Sequence, residues 1–183
     1  ILPFRVGDNP PPRLRGVMNN LLPNFLSGRW QPGTGRGVAL IDPVLGTELA
    51  RVDAGGLDLA EGFAFARYQG GQTLRSLTYR ERAALLSAVA EVLQSHRDDY
   101  YAIATANSGT VKNDSAIDIE GAIYTLGVYA KIGHSLGGQR FLLDGDATPL
   151  SKDSQFQGRH LLTPLRGVAL FINAFNFPVW GLL

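Results

Sequence analysis

The chain has no cysteine, and a single methionine, in 183 residues. Without thiols there are no disulfides, no thiolate metal sites and no cysteine nucleophile within these residues. Histidine is scarce as well. His96, His134 and His160 are too widely spaced to form a ligand set or a catalytic triad. No apolar run approaches the roughly 20 residues of a membrane span. There is also no charged-then-apolar start with a small-residue cleavage site. Excess charge of one sign is lacking too. Lys and Arg number 17 against 16 Asp and Glu, a net of +1, so no strong field argues for nucleic acid or membrane partners. A cytoplasmic protein is the expectation, and Asn113-Asp-Ser115, a glycosylation sequon in form, is then a chance match. What is present is an ordinary globular composition, 45% hydrophobic and 18% charged, long enough for one domain with a real core.

The chain opens on Ile1, and its methionine is Met18. Residues 1–17 carry three consecutive prolines and little to bury, which predicts an extended or disordered leader. Translation starting at Met18 is the expectation, with a natural flexible tail as the alternative.

Beyond the leader, Phe25 and Trp30 flank a Ser-Gly turn. Two strand-like runs at 38–42 and 48–52, joined by Pro43-Val-Leu-Gly46, have hairpin chemistry. The glycines at 33, 35 and 37 lack the spacing of a phosphate loop, and no helix follows them. Asp58 can cap a helix over 59–68. Thr78-Tyr-Arg-Glu81 is a capping box. The helix behind it carries Ala83, Leu86, Ala90 and Leu93 on one side, with Leu85, Val89 and Val92 widening the stripe. A second helix over 97–107 stops at Gly109, a good left-handed terminator. A third runs over 114–132 with Ile119, Ala122, Ile123, Leu126 and Tyr129 inward, and Gly121 and Gly127 positioned for close approach. Glu61, Glu81, Glu91 and Glu120 on these helices read as caps and solvated faces. Phe63, Phe65, Tyr100 and Tyr101 read as core. Runs at 140–143 and 159–162 look like an antiparallel pair. The continuous apolar run 168–172 fits a strand buried on both faces, as in a parallel sheet.

After that run comes Asn173-Ala-Phe-Asn-Phe-Pro178, then an apolar stretch that reads as a helix, with Pro178 suited to its first turn. Ligands bind at the carboxyl end of such strands in wound α/β folds. This aromatic-Asn-Phe-Pro loop resembles the one that opens the cofactor core of aldehyde dehydrogenases. Phe25-Leu-Ser-Gly-Arg-Trp30 resembles that family's opening hairpin, 78–93 its first long amphipathic helix, and 107–118 the segment joining its next two helices. The resemblance covers essentially 19–183. Three stretches, 101–109, 149–152 and 172–178, are similar to the branch that serves aerobic breakdown of aromatic compounds through CoA thioesters, on the phenylacetate and benzoate routes. Asn-Ala-Phe in place of the commoner apolar-Pro-Trp is a departure from the family pattern.

The resemblance implies an α/β fold: the first part of a Rossmann-like cofactor domain over 18–138, an antiparallel oligomerisation hairpin over 139–164, and the first core strand and loop over 165–183. It implies that Asn176 is the oxyanion-hole donor, and that Ile172, Asn173, Ala174 and Phe175 border the cofactor. The implied cofactor is NADP, with NAD also compatible. The implied partners are a small-molecule aldehyde, in this branch a CoA thioester semialdehyde, and further copies of the chain. In the family a cysteine thiolate attacks the aldehyde, hydride leaves to the nicotinamide, and a glutamate activates water to release the acid. These residues hold no such cysteine, so the expectation is a piece of an NAD(P)-dependent aldehyde dehydrogenase that is inactive alone. A non-catalytic truncated product, acting in assembly or binding, is the second reading. No metal site is expected.

Overall fold

Local chemistry accounts for most of the elements in the computed structural model, which describes residues 21–183. The expected leader and the Met18 start lie outside the described residues. Strands β2 (Asn24–Leu26) and β3 (Arg29–Gln31) pair antiparallel around Ser27 and Gly28, both at positive φ. Phe25 and Trp30 sit opposite each other there, their rings in an edge-on contact at 5.0 Å. The expected hairpin forms between β4 (Val38–Ile41) and β5 (Glu48–Val52). Its turn is held by Asp42, whose carboxylate accepts from the N–H of Val44 (2.8 Å) and Leu45 (2.9 Å). A short strand β1 (Leu21–Leu22) adds parallel to β5, giving the order β1-β5-β4.

The glycine-rich stretch after β3 wraps a side chain rather than a ligand. Asp53 accepts from the N–H groups of Gly35 (2.5 Å) and Gly55 (3.1 Å). A Cβ at Gly33 would collide with the same carboxylate at 2.4 Å. The backbone donors that a phosphate would need are therefore directed at an internal carboxylate.

Asp58 caps α1 (Leu59–Ala64), accepting from Glu61 N at 2.9 Å. The helical course outruns the expected 59–68: a π turn (Phe65–Gly70) follows, then α2 (Gly71–Ser76). The capping box opens α3 (Tyr79–Ser95) as expected. Thr78 Oγ1 accepts from Glu81 N, and Glu81 Oε2 accepts from Thr78 N at 2.8 Å. The Thr78 N–H, and then the Thr78 hydroxyl, which also donates to Oε2 at 2.8 Å, hold the Glu81 carboxyl below its ordinary pKa. The next donors, Tyr79 N and Arg80 N, reach the carbonyls of Gln139 and Gly137, so chain beyond α5 completes the start of α3. Helix α4 (Arg97–Ser108) stops at Gly109 with φ 68°, and α5 (Lys112–Leu136) is the longest element.

The core lies where α5 crosses α3 and α4. Ser115, Asp118, Ile119, Ala122, Leu126 and Ala130 are buried along one stripe of α5. Ala83 is buried opposite them, and a Cβ at Gly133 would lie 2.8 Å from the Cβ of Ala83, so the helices touch backbone to side chain. Tyr101 fastens α4 to α5, its hydroxyl donating to Glu120 Oε1 at 2.6 Å. Burial first, and that hydrogen bond second, push its phenol pKa up.

Four side-chain expectations fail for one reason: among the described residues nothing forms a layer over the outer helix faces. Tyr129, Val89, Val92 and Phe63 are exposed rather than inward. Among the described residues Gly127 has nothing near it to approach, whereas Gly121 does. The antiparallel pair is longer than expected, β6 (Leu142–Pro149) with β7 (Gln157–Leu162), because 144–146 belongs to the ladder as an irregularity rather than to the turn.

The expected strand at 168–172 is not formed. No described strand pairs with it, and Leu170, Phe171 and Ile172 are exposed. A strand exists only through its ladder and its covered faces, and this run has neither. The expected helix after Pro178 is a single turn, closed by Leu182 N and Leu183 N on the carbonyl of Val179.

Candidate functional site

The loop that carries the sequence-predicted site is tied down at two points. Ala174 O accepts from Phe177 N at 3.2 Å, so Phe175 and Asn176 occupy the middle of a tight turn. On the near side, the Ser108 hydroxyl at the end of α4 donates to the carbonyl of Phe175 at 2.9 Å. On the far side, Pro178 has no N–H to offer. The next two N–H groups do: Val179 N and Trp180 N reach Asp118 Oδ2 (3.1 Å) and Oδ1 (2.7 Å).

Trp180 makes a third contact. Its indole N–H donates to Thr125 Oγ1 at 3.0 Å, about two helical turns along α5 from Asp118. Its ring covers Gly121, where a Cβ would come within 2.7 Å of the ring. Gly121 is thus the close approach expected of it, and the partner is an indole.

The predicted site residues fall together by sequence, and the structure leaves them open. Asn176 is exposed, and its side chain makes no hydrogen bond among the described residues. Ile172, Asn173, Ala174 and Phe175 are exposed as well, Ile172 at 89%. Asn173 leans towards Gly181, where a Cβ would lie 3.2 Å from its Oδ1. As a border for a nicotinamide dinucleotide these four residues fit, with exposed side chains of which only Asn173 is polar. They do not form a phosphate cradle, and the glycine-rich segment 33–37 is closed around Asp53. Among the described residues no cluster of His, Asp or Glu could hold a metal, and no helix is long and apolar enough to cross a membrane.

The residues that sequence reasoning missed are those that hold the loop: Ser108, Asp118, Thr125 and Trp180. One signal was available for Asp118. It shares the 115, 119, 122, 126, 130 stripe of α5, so a carboxylate stands on an apolar face. For Ser108 and Thr125 the sequence holds no such sign, since helix-end and mid-helix hydroxyls are common on surfaces.

Comparison with known proteins identifies the family. Residues 30–182 match the aldehyde dehydrogenase family. The 3,4-dehydroadipyl-CoA semialdehyde dehydrogenase of Aromatoleum evansii is 50% identical over 161 residues, which is 88% of this chain and 31% of that protein. The chain therefore spans about a third of the length of this relative. Among solved structures, aldehyde dehydrogenase 21 of Physcomitrella patens superposes with a TM-score of 0.62 at 18% identity, over 78% of this chain and 29% of that one. An NAD-dependent benzaldehyde dehydrogenase of Corynebacterium glutamicum gives 0.58 at 18% identity, over 69% and 28%. These structures share the α/β fold of this chain. With an asparagine loop strapped to a helical layer, and a family match across most of its length, the chain belongs to the aldehyde dehydrogenase family.

Proposed function

We propose that the chain is the leading part of a longer NAD(P)-dependent aldehyde dehydrogenase that oxidises an aldehyde to a carboxylic acid. The substrate is a CoA-linked semialdehyde of aerobic aromatic-compound breakdown. The 50% identity to a CoA-semialdehyde dehydrogenase over 88% of the chain carries this reading. The cofactor is NADP, with NAD as the alternative. The intact enzyme is a cytoplasmic homo-oligomer, and the β6–β7 hairpin contributes to its assembly.

Within that enzyme this chain supplies one group to the chemistry. Attack on the aldehyde carbon moves charge onto the aldehyde oxygen. The Asn176 amide, uncommitted and fixed in a tight turn, donates to that oxygen as the charge develops. Ile172, Asn173, Ala174 and Phe175 border the dinucleotide, which when bound supplies the hydride acceptor. The nucleophile comes from elsewhere, because these 183 residues contain no cysteine.

The test is Asn176→Ala in the intact enzyme. It should lower kcat by about 10²- to 10³-fold, the usual loss for one oxyanion donor, with an unchanged melting temperature because the side chain is exposed. Near-normal turnover would remove Asn176 from the mechanism. The purified 183-residue chain should reduce no NADP with any aldehyde, and sustained reduction would overturn the assignment of the nucleophile elsewhere.

A further inference from the structure

We infer that Asp118 is the positioning residue for the Asn176 loop, acting through the backbone on the far side of Pro178. The inference rests on the proposed role of Asn176. Asp118 is 2% exposed, beside Ile119 and Ala122, both at 0%. A carboxylate on such a face is costly unless its oxygens are met. Among the described residues no Lys, Arg or His pairs with it. Its partners are two consecutive backbone donors, Val179 N and Trp180 N, one to each oxygen. An apolar side chain would suit the helix stripe better. What Asp118 adds is a fixed point for a segment that has no ladder and little cover.

The geometry makes that point matter to Asn176. Ser108 stands 67 positions before the carbonyl it holds, and Asp118 stands 61 and 62 positions before the N–H groups it holds. Both ties therefore come from the helical layer, and Asn176 stands between them. Ser108 fixes the residue before it, and Asp118 fixes the turn that begins two residues after it. Without Asp118, only the single Ser108 hydrogen bond and the Trp180 contacts would hold the loop.

The experiment is a double-mutant cycle in the intact enzyme. Asp118→Ala should lower kcat by about 10- to 100-fold, the scale of a loss through misplacement by about an ångström, with KM for the cofactor changed less than twofold. It should cause no further loss in the Asn176→Ala background. Amide exchange should accelerate over 175–183 and stay slow in α3 and α5. Asp118→Asn, which keeps the shape and one carbonyl acceptor, should recover most of the rate. If Asp118→Ala does not fold, Asp118→Asn decides alone: its smaller loss must vanish in the Asn176→Ala background. Equal losses in both backgrounds would overturn the inference, as would normal turnover of Asp118→Ala beside a crippled Asn176→Ala. Near-normal turnover of Asn176→Ala would instead overturn the reading on which it rests.

Discussion

Ile119 and Ile172 are the same side chain at opposite extremes, one fully buried and the other 89% exposed. Ile119 stands between Asp118 and Glu120, and Ile172 closes a continuous apolar run. Ile119 lies on α5, whose stripe meets α3 and α4. Ile172 lies in a run that no described strand or helix covers. The difference teaches that apolar content states a need for a partner and does not supply one. The helical layer satisfies its need internally. The closing segment is held by polar ties to that layer: one hydroxyl, one carboxylate and an indole.

The sharpest way to break this comparison is to truncate both isoleucines. Ile119→Ala should destabilise the chain by about 2–5 kcal/mol, the range for opening a cavity in a packed core. Ile172→Ala should stay within about 0.5 kcal/mol. Urea unfolding of the two variants checks both, and similar midpoint shifts would mean that 168–172 is covered after all.

Next comes the start of α3. Thr78→Ala should cost about 1 kcal/mol, since it removes the oxygen that caps Glu81 N. The capping box also has a pH signature. Its hydrogen bonds lower the Glu81 pKa in the folded chain. That contribution is in place above the ordinary glutamate pKa and is lost as pH falls through the lowered folded value. Thr78→Ala should flatten the acid limb of a stability-versus-pH curve.

A smaller effect separates the two regions directly. Gly121→Ala puts a Cβ where the Trp180 ring now lies, while alanine suits a helix interior better than glycine by about 1 kcal/mol. The helical layer should keep or gain stability while the closing turn lifts off. In a Trp30→Phe background, Trp180 emission should shift to the red with no loss of helical circular dichroism. The smallest effect is spectroscopic. Tyr101 should ionise above the ordinary tyrosine pKa in an ultraviolet titration, because burial and Glu120 raise it. Stability linked to it is in place below the ordinary tyrosine pKa and declines as pH rises towards the raised value. Glu120→Gln should bring the Tyr101 titration closer to the ordinary tyrosine pKa.

The features legible in the sequence were those set by neighbouring residues. Asp58, the Thr78–Glu81 box, Gly109 and the Pro43–Gly46 turn each act within a few residues, and each formed as read. The features not legible depend on distant chain. The π turn after Ala64 has no local sequence mark. The run at 168–172 reads as a strand because it is continuously apolar, yet strand formation is a property of pairs. The Asn176 turn was found through its motif. The ties that hold it join residues 55 to 67 positions apart, and only Asp118, a carboxylate on an apolar stripe, left a trace.

The crossing of α5 over α3 at Gly133 and Ala83 has a mechanical consequence. Fifteen residues separate Gly133 from Asp118, which makes about 22 Å of stiff rod at 1.5 Å per residue. With the crossing as fulcrum, a tilt of about 3° would swing Asp118 by about 1 Å over that length. A bulkier residue at Gly133, remote from every reacting atom, would then act on the Asn176 turn as a lever acts on its load.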